Sequence, residues 1–216
     1  MEATGTRWET ARVEAFSDGV FAIAITLLVL EIGIDPADFD HLWQALADEW
    51  PSYLAYVTSF LTVGGVWLAH HRLYSHLRYV DPMLMRLNIL VLMAASFLPF
   101  PTSLLADAFD VSTSAERAAV VVYGVTAGVI EALIRWSAHW AAAHPELLEG
   151  GEAAAAEVAP PDVPVAPLYG VAILVGVLVL PRIAAFGYLV VAARAVLVPG
   201  SEGRLSLHRR RKSAGG

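Results

Sequence analysis

The 216-residue chain contains no cysteine, which excludes disulfides, thiolate metal sites and cysteine nucleophiles together. Charge is also scarce: Asp, Glu, Lys and Arg make up 16% of the residues against 57% hydrophobic ones, and the mean hydropathy is +0.58. An ordinary soluble domain carries about 25% charged residues, so this composition points to an integral membrane protein. Neither a His-Glu-x-x-His motif, a phosphate loop nor a nucleophile-base pair is present, and a membrane enzyme therefore has no support. The first apolar run is longer than a leader's apolar region, has no obvious Ala-x-Ala cleavage site and holds the Phe16-Ser17-Asp18 triplet, so it reads as a retained span.

Six apolar stretches occupy roughly residues 15–34, 53–70, 83–105, 118–136, 163–180 and 183–198. Most approach the ~20 residues that a helix needs to cross ~30 Å of hydrocarbon. The last two are short and joined only by Pro181 and Arg182, which suits a tight hairpin or one broken helix. The expected fold class is all-α, a polytopic membrane protein of six transmembrane helices. Residues 1–200 form the transmembrane domain, interrupted by an Ala-, Glu- and Pro-rich cytoplasmic linker at about 141–164, partly helical at best; residues 201–216 form a basic cytoplasmic tail.

Basic residues test this count, because loops on opposite sides of a membrane differ in Lys and Arg. With the N-terminus inside, Arg7, Arg12, Arg72, Arg78, Arg86, Arg135 and Arg194 fall on the inner side, as do Arg204, Arg209, Arg210, Arg211 and Lys212. Only Arg117 and Arg182 remain for the other face. Both termini are thus expected in the cytoplasm. The Arg209 to Lys212 run reads as an orientation signal in contact with anionic lipid, not as a nucleic-acid arm. Acids show the reverse bias: Glu31, Asp35, Asp38, Asp40, Asp48, Glu49, Asp107, Asp110 and Glu116 lie on the outer side. They either concentrate cations there or form a solvated loop surface.

Arg12 to Leu30 places an ionisable triplet at the mouth of an apolar helix. A carboxylate at this depth faces the bundle interior or snorkels to the interface. Asp18 lies six residues from Arg12, some ~120° apart in azimuth and ~9 Å along an ideal helix, so the two are not expected to pair. The candidate partners for Asp18 are His70 and His71 at the inner end of the second span and Asn88 in the third. His70 and His71 point about 100° apart, and His71 with His76 at i, i+5 misses the helical spacing of metal pairs; hydrogen-bonded histidines or a proton-sensitive network fit better. Glu131 and Arg135 form an i, i+4 pair beside the Trp136 and Trp140 belt, and Pro99, Pro101 and Pro181 read as kinks or ends. No metal site and no cofactor are expected.

Beyond Gly19, Ile23, Leu27 and Leu30 recur at i, i+4 and i+7 on one helix face. In a cyclic oligomer with this helix at the axis they would form three apolar rings over roughly 10 Å. Such rings stop ions by dewetting and pass them on dilation, while the same stripe also serves ordinary packing. Thr26 lies about one turn above Ile23 on an adjoining face, where its hydroxyl can touch an ion or bond its own backbone.

The pattern Arg12-x-x-x-Phe16-Ser17-Asp18, followed by Gly-Val-Phe-Ala-Ile-Ala-Ile-Thr-Leu-Leu-Val-Leu-Glu-Ile, resembles the first helix of the transmembrane protein 175 family in its bacterial branch. Trp67, His70, Asn88 and the topology extend the resemblance over six spans. It implies a potassium-permeable cation channel of the cell inner (plasma) membrane without a Thr-Val-Gly-Tyr-Gly filter, conducting potassium and other monovalent cations. In that frame Ile23 carries the constriction, Thr26 a polar ring, and Leu27 with Leu30 the continuing lining. Arg12, Phe16, Ser17 and Asp18 hold the inner end of the helix against the second and third spans, where His70 and Asn88 lie. The Phe-Ser-Asp triplet occurs once, where animal members carry two repeats, and this implies a homotetramer. The competing reading is a proton-coupled transporter using Asp18, His70 and His71; it calls for an internal repeat and broken helices, neither of which is clear.

Overall fold

The computed structural model describes residues 8–109, 111–160, 166–178 and 181–197. Arg7, Asp110, the last part of the linker from 161 to 164 and the whole 201–216 tail lie outside the described residues. Helix α1 spans Thr10–Leu27 and tightens into a 3-10 turn at Leu28–Glu31. A second 3-10 turn, Pro36–His41, is capped by Asp35, whose carboxylate accepts from Ala37 N at 2.8 Å, and leads into α2, Leu42–Asp48. Helix α3 runs from Trp50 to Tyr74. Asp81 caps α4, Pro82–Phe97, by accepting from Leu84 N at 2.8 Å, with Pro82 pre-set for the first turn. Leu98 separates α4 from α5, Pro99–Asp107. The prolines at 99 and 101 remove two amide donors there, so they bend a continuous apolar stretch without ending it. Helix α6, Thr113–Ala143, is capped by Ser112. Helices α7, Glu152–Val158, α8, Ala166–Leu178, and α9, Pro181–Leu197, complete the described chain.

Among the described residues four stretches are long and apolar enough to cross a membrane: Thr10–Glu31, Trp50–Tyr74, Pro82–Asp107 and Thr113–Ala143. They overlap the first four expected spans; the first begins and ends earlier than expected, and the other three extend at both ends. Helices α8 and α9 have 13 and 17 residues. They fold back on each other, because Tyr169 stacks on Tyr188 at 5.8 Å and Gly187 faces Ala172, pairs whose residue numbers nearly sum to a constant.

The main core lies between α1, α3, α4, α6 and α9, with Phe21, Val63, Val91, Leu98, Tyr123, Ile130 and Tyr188 buried in it. Within it Ser59 Oγ is 2.7 Å from Thr102 Oγ1 and 3.1 Å from Tyr123 Oη, a hydroxyl seam joining α3, α5 and α6. Tyr188 Oη donates to the Val120 carbonyl at 2.8 Å, and reaches it through the space that Gly124 leaves open.

At the N-terminal end of the bundle the all-α expectation needs a small correction. Strand β1, Trp8–Glu9, pairs antiparallel with β2, Tyr79–Val80, in the register Trp8 to Val80 and Glu9 to Tyr79. Two residues per strand carry no alternation to read, so only tertiary pairing reveals them. The linker at 141–164 also does more than connect. Leu77 bridges to Leu148, Arg78 N donates to Leu147 O and Glu149 N to His76 O at 2.8 Å each, and His76 Nε2 lies 3.4 Å from Glu157 Oε2. Leu147, Leu148, Ala154 and Val158 are buried with Val13, Leu73, Tyr74, Val80 and Leu84 in a second core. Gly150 and Gly151, at φ of 98° and 57°, make the turn that folds α7 back, a conformation that other residues rarely adopt.

Candidate functional site

Helix α1 divides its residues between two faces. Val13, Ser17, Phe21 and Ala24 are buried, and Leu28 continues that line in the 3-10 turn. The helix is antiparallel to α3, and two rungs join them: His71 Nδ1 lies 2.8 Å from Glu14 Oε1, and Trp67 Nε1 donates to Asp18 Oδ1 at 2.8 Å. Glu14 and Asp18 are one turn apart on α1, as Trp67 and His71 are on α3, where their rings stack at 5.8 Å.

The expected partners of Asp18 are thereby corrected. Neither His70, His71 nor Asn88 meets it, and Trp67 does. At about 100° per residue Asp18 and Ser17 cannot both face α4, and it is Ser17 that points there. Ser17, His70 and Asn88 are almost fully buried. An amide oxygen only accepts, so His70 Nε2 donates to Asn88 Oδ1 at 2.9 Å. Asn88 Nδ2 donates to Ser17 Oγ at 3.1 Å, and Ser17 Oγ donates to Val13 O at 2.8 Å. A directed chain of hydrogen bonds thus runs from α3 through α4 into the backbone of α1. The His70 ring stacks on Tyr74 at 4.0 Å and meets Phe21 edge-on at 5.4 Å, while its Nδ1 has no partner among the described residues.

Arg12 and Phe16 do not join this lattice. Both are exposed on the single chain and border a groove of about 740 Å³ with Trp8, Glu9, Val13, Met85, Asn88 and Ile89. Among the described residues Arg12 makes no hydrogen bond or ion pair.

The apolar stripe lies on the other face of α1. Ile23 is 61% and Leu30 73% exposed, with Leu27 and Thr26 exposed between them. Leu27 and Leu30 straddle the change to a 3-10 turn, in which residues three apart eclipse each other and rise ~2 Å per residue. The stripe from Ile23 to Leu30 is thereby stretched to about 12 Å and kept in line better than an α-helix would keep it. Thr26 Oγ1 donates to Ile23 O at 2.9 Å, so its proton is committed and only its lone pairs face outward. That orientation suits a cation and not an anion.

Sequence reasoning missed Glu14 and Trp67 as the rungs, although the matched i, i+4 spacings at 14/18 and 67/71 were there to be read. Among the described residues no three His, Asp or Glu side chains gather as a metal site. Asp18, His70 and His71 hydrogen-bond three different partners and not one another. Several of the acids expected on the outer side hold local structure: Asp35 caps a turn, Glu49 accepts from Ser52 Oγ at 2.7 Å, and Glu116 pairs with Arg182 at 3.1 Å.

Residues 12–99 match the family described as endosomal/lysosomal potassium channel TMEM175. A Streptomyces collinus protein named as a potassium channel is 52% identical over 114 residues, covering 52% of this chain and 55% of the relative. A Chamaesiphon minutus protein, also named as a potassium channel, is 47% identical over 120 residues, or 54% of this chain and 59% of the relative. These matches span little more than half the length of either relative. A crystal structure of a lysosomal potassium-selective channel TMEM175 homolog from Chamaesiphon minutus superposes with a TM-score of 0.72 at 33% identity, over 87% of this chain and 96% of that one.

Proposed function

Because the chain belongs to the TMEM175 family, we propose that it is a potassium-permeable cation channel of the cell inner (plasma) membrane, assembled as a homotetramer with α1 of each subunit lining the pore. The single observation that carries this reading is the division of α1 into a face locked to α3 and α4 and an aliphatic face left exposed among the described residues. Four copies around an axis would cover that face and turn Ile23, Leu27 and Leu30 into successive apolar rings, with Ile23 the constriction. Water is held poorly by such rings, so a partly hydrated cation meets a barrier that falls when the rings widen. The Thr26 lone pairs supply a ring of acceptors one step beyond Ile23.

Ser17, Asp18, His70 and Asn88 act in this reading as the bracket that sets the rotation of α1, and ions do not pass them. Arg12 and Phe16 belong to the surface that a neighbouring subunit covers. Helices α8 and α9 complete six spans, which puts both termini in the cytoplasm in keeping with the bias of Lys and Arg. A proton-coupled transporter is not favoured, because its three ionisable groups have separate partners.

Purified full-length chain reconstituted in liposomes tests the proposal. A reversal potential that follows the potassium gradient, without any proton gradient, is the expected result. Flux that requires a proton gradient would replace the channel by a transporter.

A further inference from the structure

Between α1 and α3, the 3-10 turn Pro36–His41 and helix α2, Leu42–Asp48, contain not one buried residue. Yet this connector is far from uniformly polar: Phe39, Leu42, Trp43 and Leu46 fall at i, i+3, i+4 and i+7. Trp43 is 87% exposed, with Phe39 and Leu42 exposed beside it. At about 100° per residue Leu42, Trp43 and Leu46 occupy roughly 100° of arc on α2, with Asp48 outside it, and at about 120° per residue Asp38 and Asp40 lie to either side of Phe39 in the 3-10 turn. The pattern is that of an amphipathic element, and among the described residues its apolar side is exposed except at half-buried Leu46.

Three observations identify what covers it. The segment starts from the end of one apolar span and runs into Trp50, the first residue of the next, so both its ends are tied to the boundary of the hydrocarbon. Its exposed aromatics are the residue types that settle at that boundary, and the Trp43 indole N–H has no acceptor among the described residues, leaving it free for a lipid carbonyl or phosphate oxygen. Residues 35–49 carry Asp35, Asp38, Asp40, Asp48 and Glu49 with no Lys or Arg, so packing copies of the segment on one another would bring like charges together. At a bilayer surface the same carboxylates simply point into water.

We propose that residues 36–50 form an interfacial anchor that lies in the plane of the bilayer on the face opposite the β1–β2 pair. Phe39, Leu42, Trp43 and Leu46 insert at the headgroup and acyl-chain boundary of zwitterionic lipid, and the acidic side faces water. The anchor fixes where the outer end of α1 sits in the membrane, a role separate from the pore lining.

The absence of cysteine makes the test clean. Single-cysteine chains carrying Trp43→Cys, Phe39→Cys or Asp40→Cys are labelled with a nitroxide and reconstituted, full length, in phosphatidylcholine liposomes. The expected result is a several-fold higher ratio of oxygen to nickel-complex accessibility at 43 and 39 than at 40. Equal nickel accessibility at all three sites would make the segment a solvated loop and overturn the proposal. Shielding of 43 and 39 from both reagents, with dipolar broadening between labels, would assign the face to a second copy and overturn it equally. Phe39→Cys decides the matter if Trp43→Cys does not assemble. Because accessibility is read without ion flux, loss of channel activity and loss of the anchor are told apart.

Discussion

Trp67 Nε1 donates to Asp18 Oδ1 at 2.8 Å, one turn along both helices from the His71–Glu14 contact. Two rungs at this spacing fix the rotation of α1 about its own axis. Measured from Asp18, an α-helical geometry turns Ile23, Leu27 and Leu30 by about 120–180°, to the side away from α3. The carboxylate therefore helps to set which residues the helix turns away from α3, without itself reaching that side.

Breaking the rung should cost stability in a way that identifies the pair. Trp67→Phe and Asp18→Ala are each expected to lose about 1–3 kcal/mol, the range for stranding or deleting one partner of such a bond. The double variant should lose less than the two losses added, since they remove the same bond. Thermal unfolding of the four proteins in detergent measures this, and strict additivity would dissolve the rung.

Ile23→Asn places an amide in the proposed narrowest ring. Hydration there should raise unitary conductance several-fold and weaken discrimination among monovalent cations, with the tetramer intact. Planar-bilayer recordings beside the wild type check both quantities, and unchanged currents would remove Ile23 from the pore.

Gly124→Ala should be among the most damaging small substitutions in the core. The added methyl would occupy the place of the Tyr188 hydroxyl and of the Ile173 side chain, so overpacking of about 1–3 kcal/mol is expected. Tyr188→Phe in the same chain should restore part of the loss, because Ile173 still obstructs. Gly128→Ala, where the new methyl meets only Tyr169 Cβ at an ordinary 3.8 Å, serves as the neutral control in the same melting assay.

Val158→Asp should release α7 and leave the membrane core standing. A carboxylate in the second core forfeits a buried valine and gains no partner, at least about 2 kcal/mol against docking. Faster proteolysis within 145–160 and quicker amide exchange at Leu147 and Glu149 are the expected signs, with unchanged protection of α3 and α6.

The four long spans were legible because hydropathy over twenty residues outweighs every local signal. Ile23, Leu27 and Leu30 were legible as one face because helical periodicity alone places them. The partner of Asp18 was not, since it depends on how α1 is rotated against α3, and that rotation is set by several contacts jointly: Phe21 on His70, Ser17 on Asn88, Glu14 on His71. Composition misled at the linker. Its glutamates and most of its alanines describe the exposed side of α7, while docking rests on Leu147, Leu148, Ala154 and Val158.

The two-residue pairing of Trp8–Glu9 with Tyr79–Val80 has a mechanical consequence. Helix α1 is tied at that end by β2 and by the Ser17–Asn88 contact, and near its far end by buried Leu28, beyond which the connector is exposed. Where the Leu28 packing yields, the rod swings about the β1–β2 end. Leu30 stands about 20 Å beyond Ser17, so each degree of tilt carries it about 0.3 Å sideways and leaves Ser17 in place. Widening of the proposed pore by this route would open the far rings first and Ile23 least, giving it the shape of a funnel whose throat is nearest the pivot.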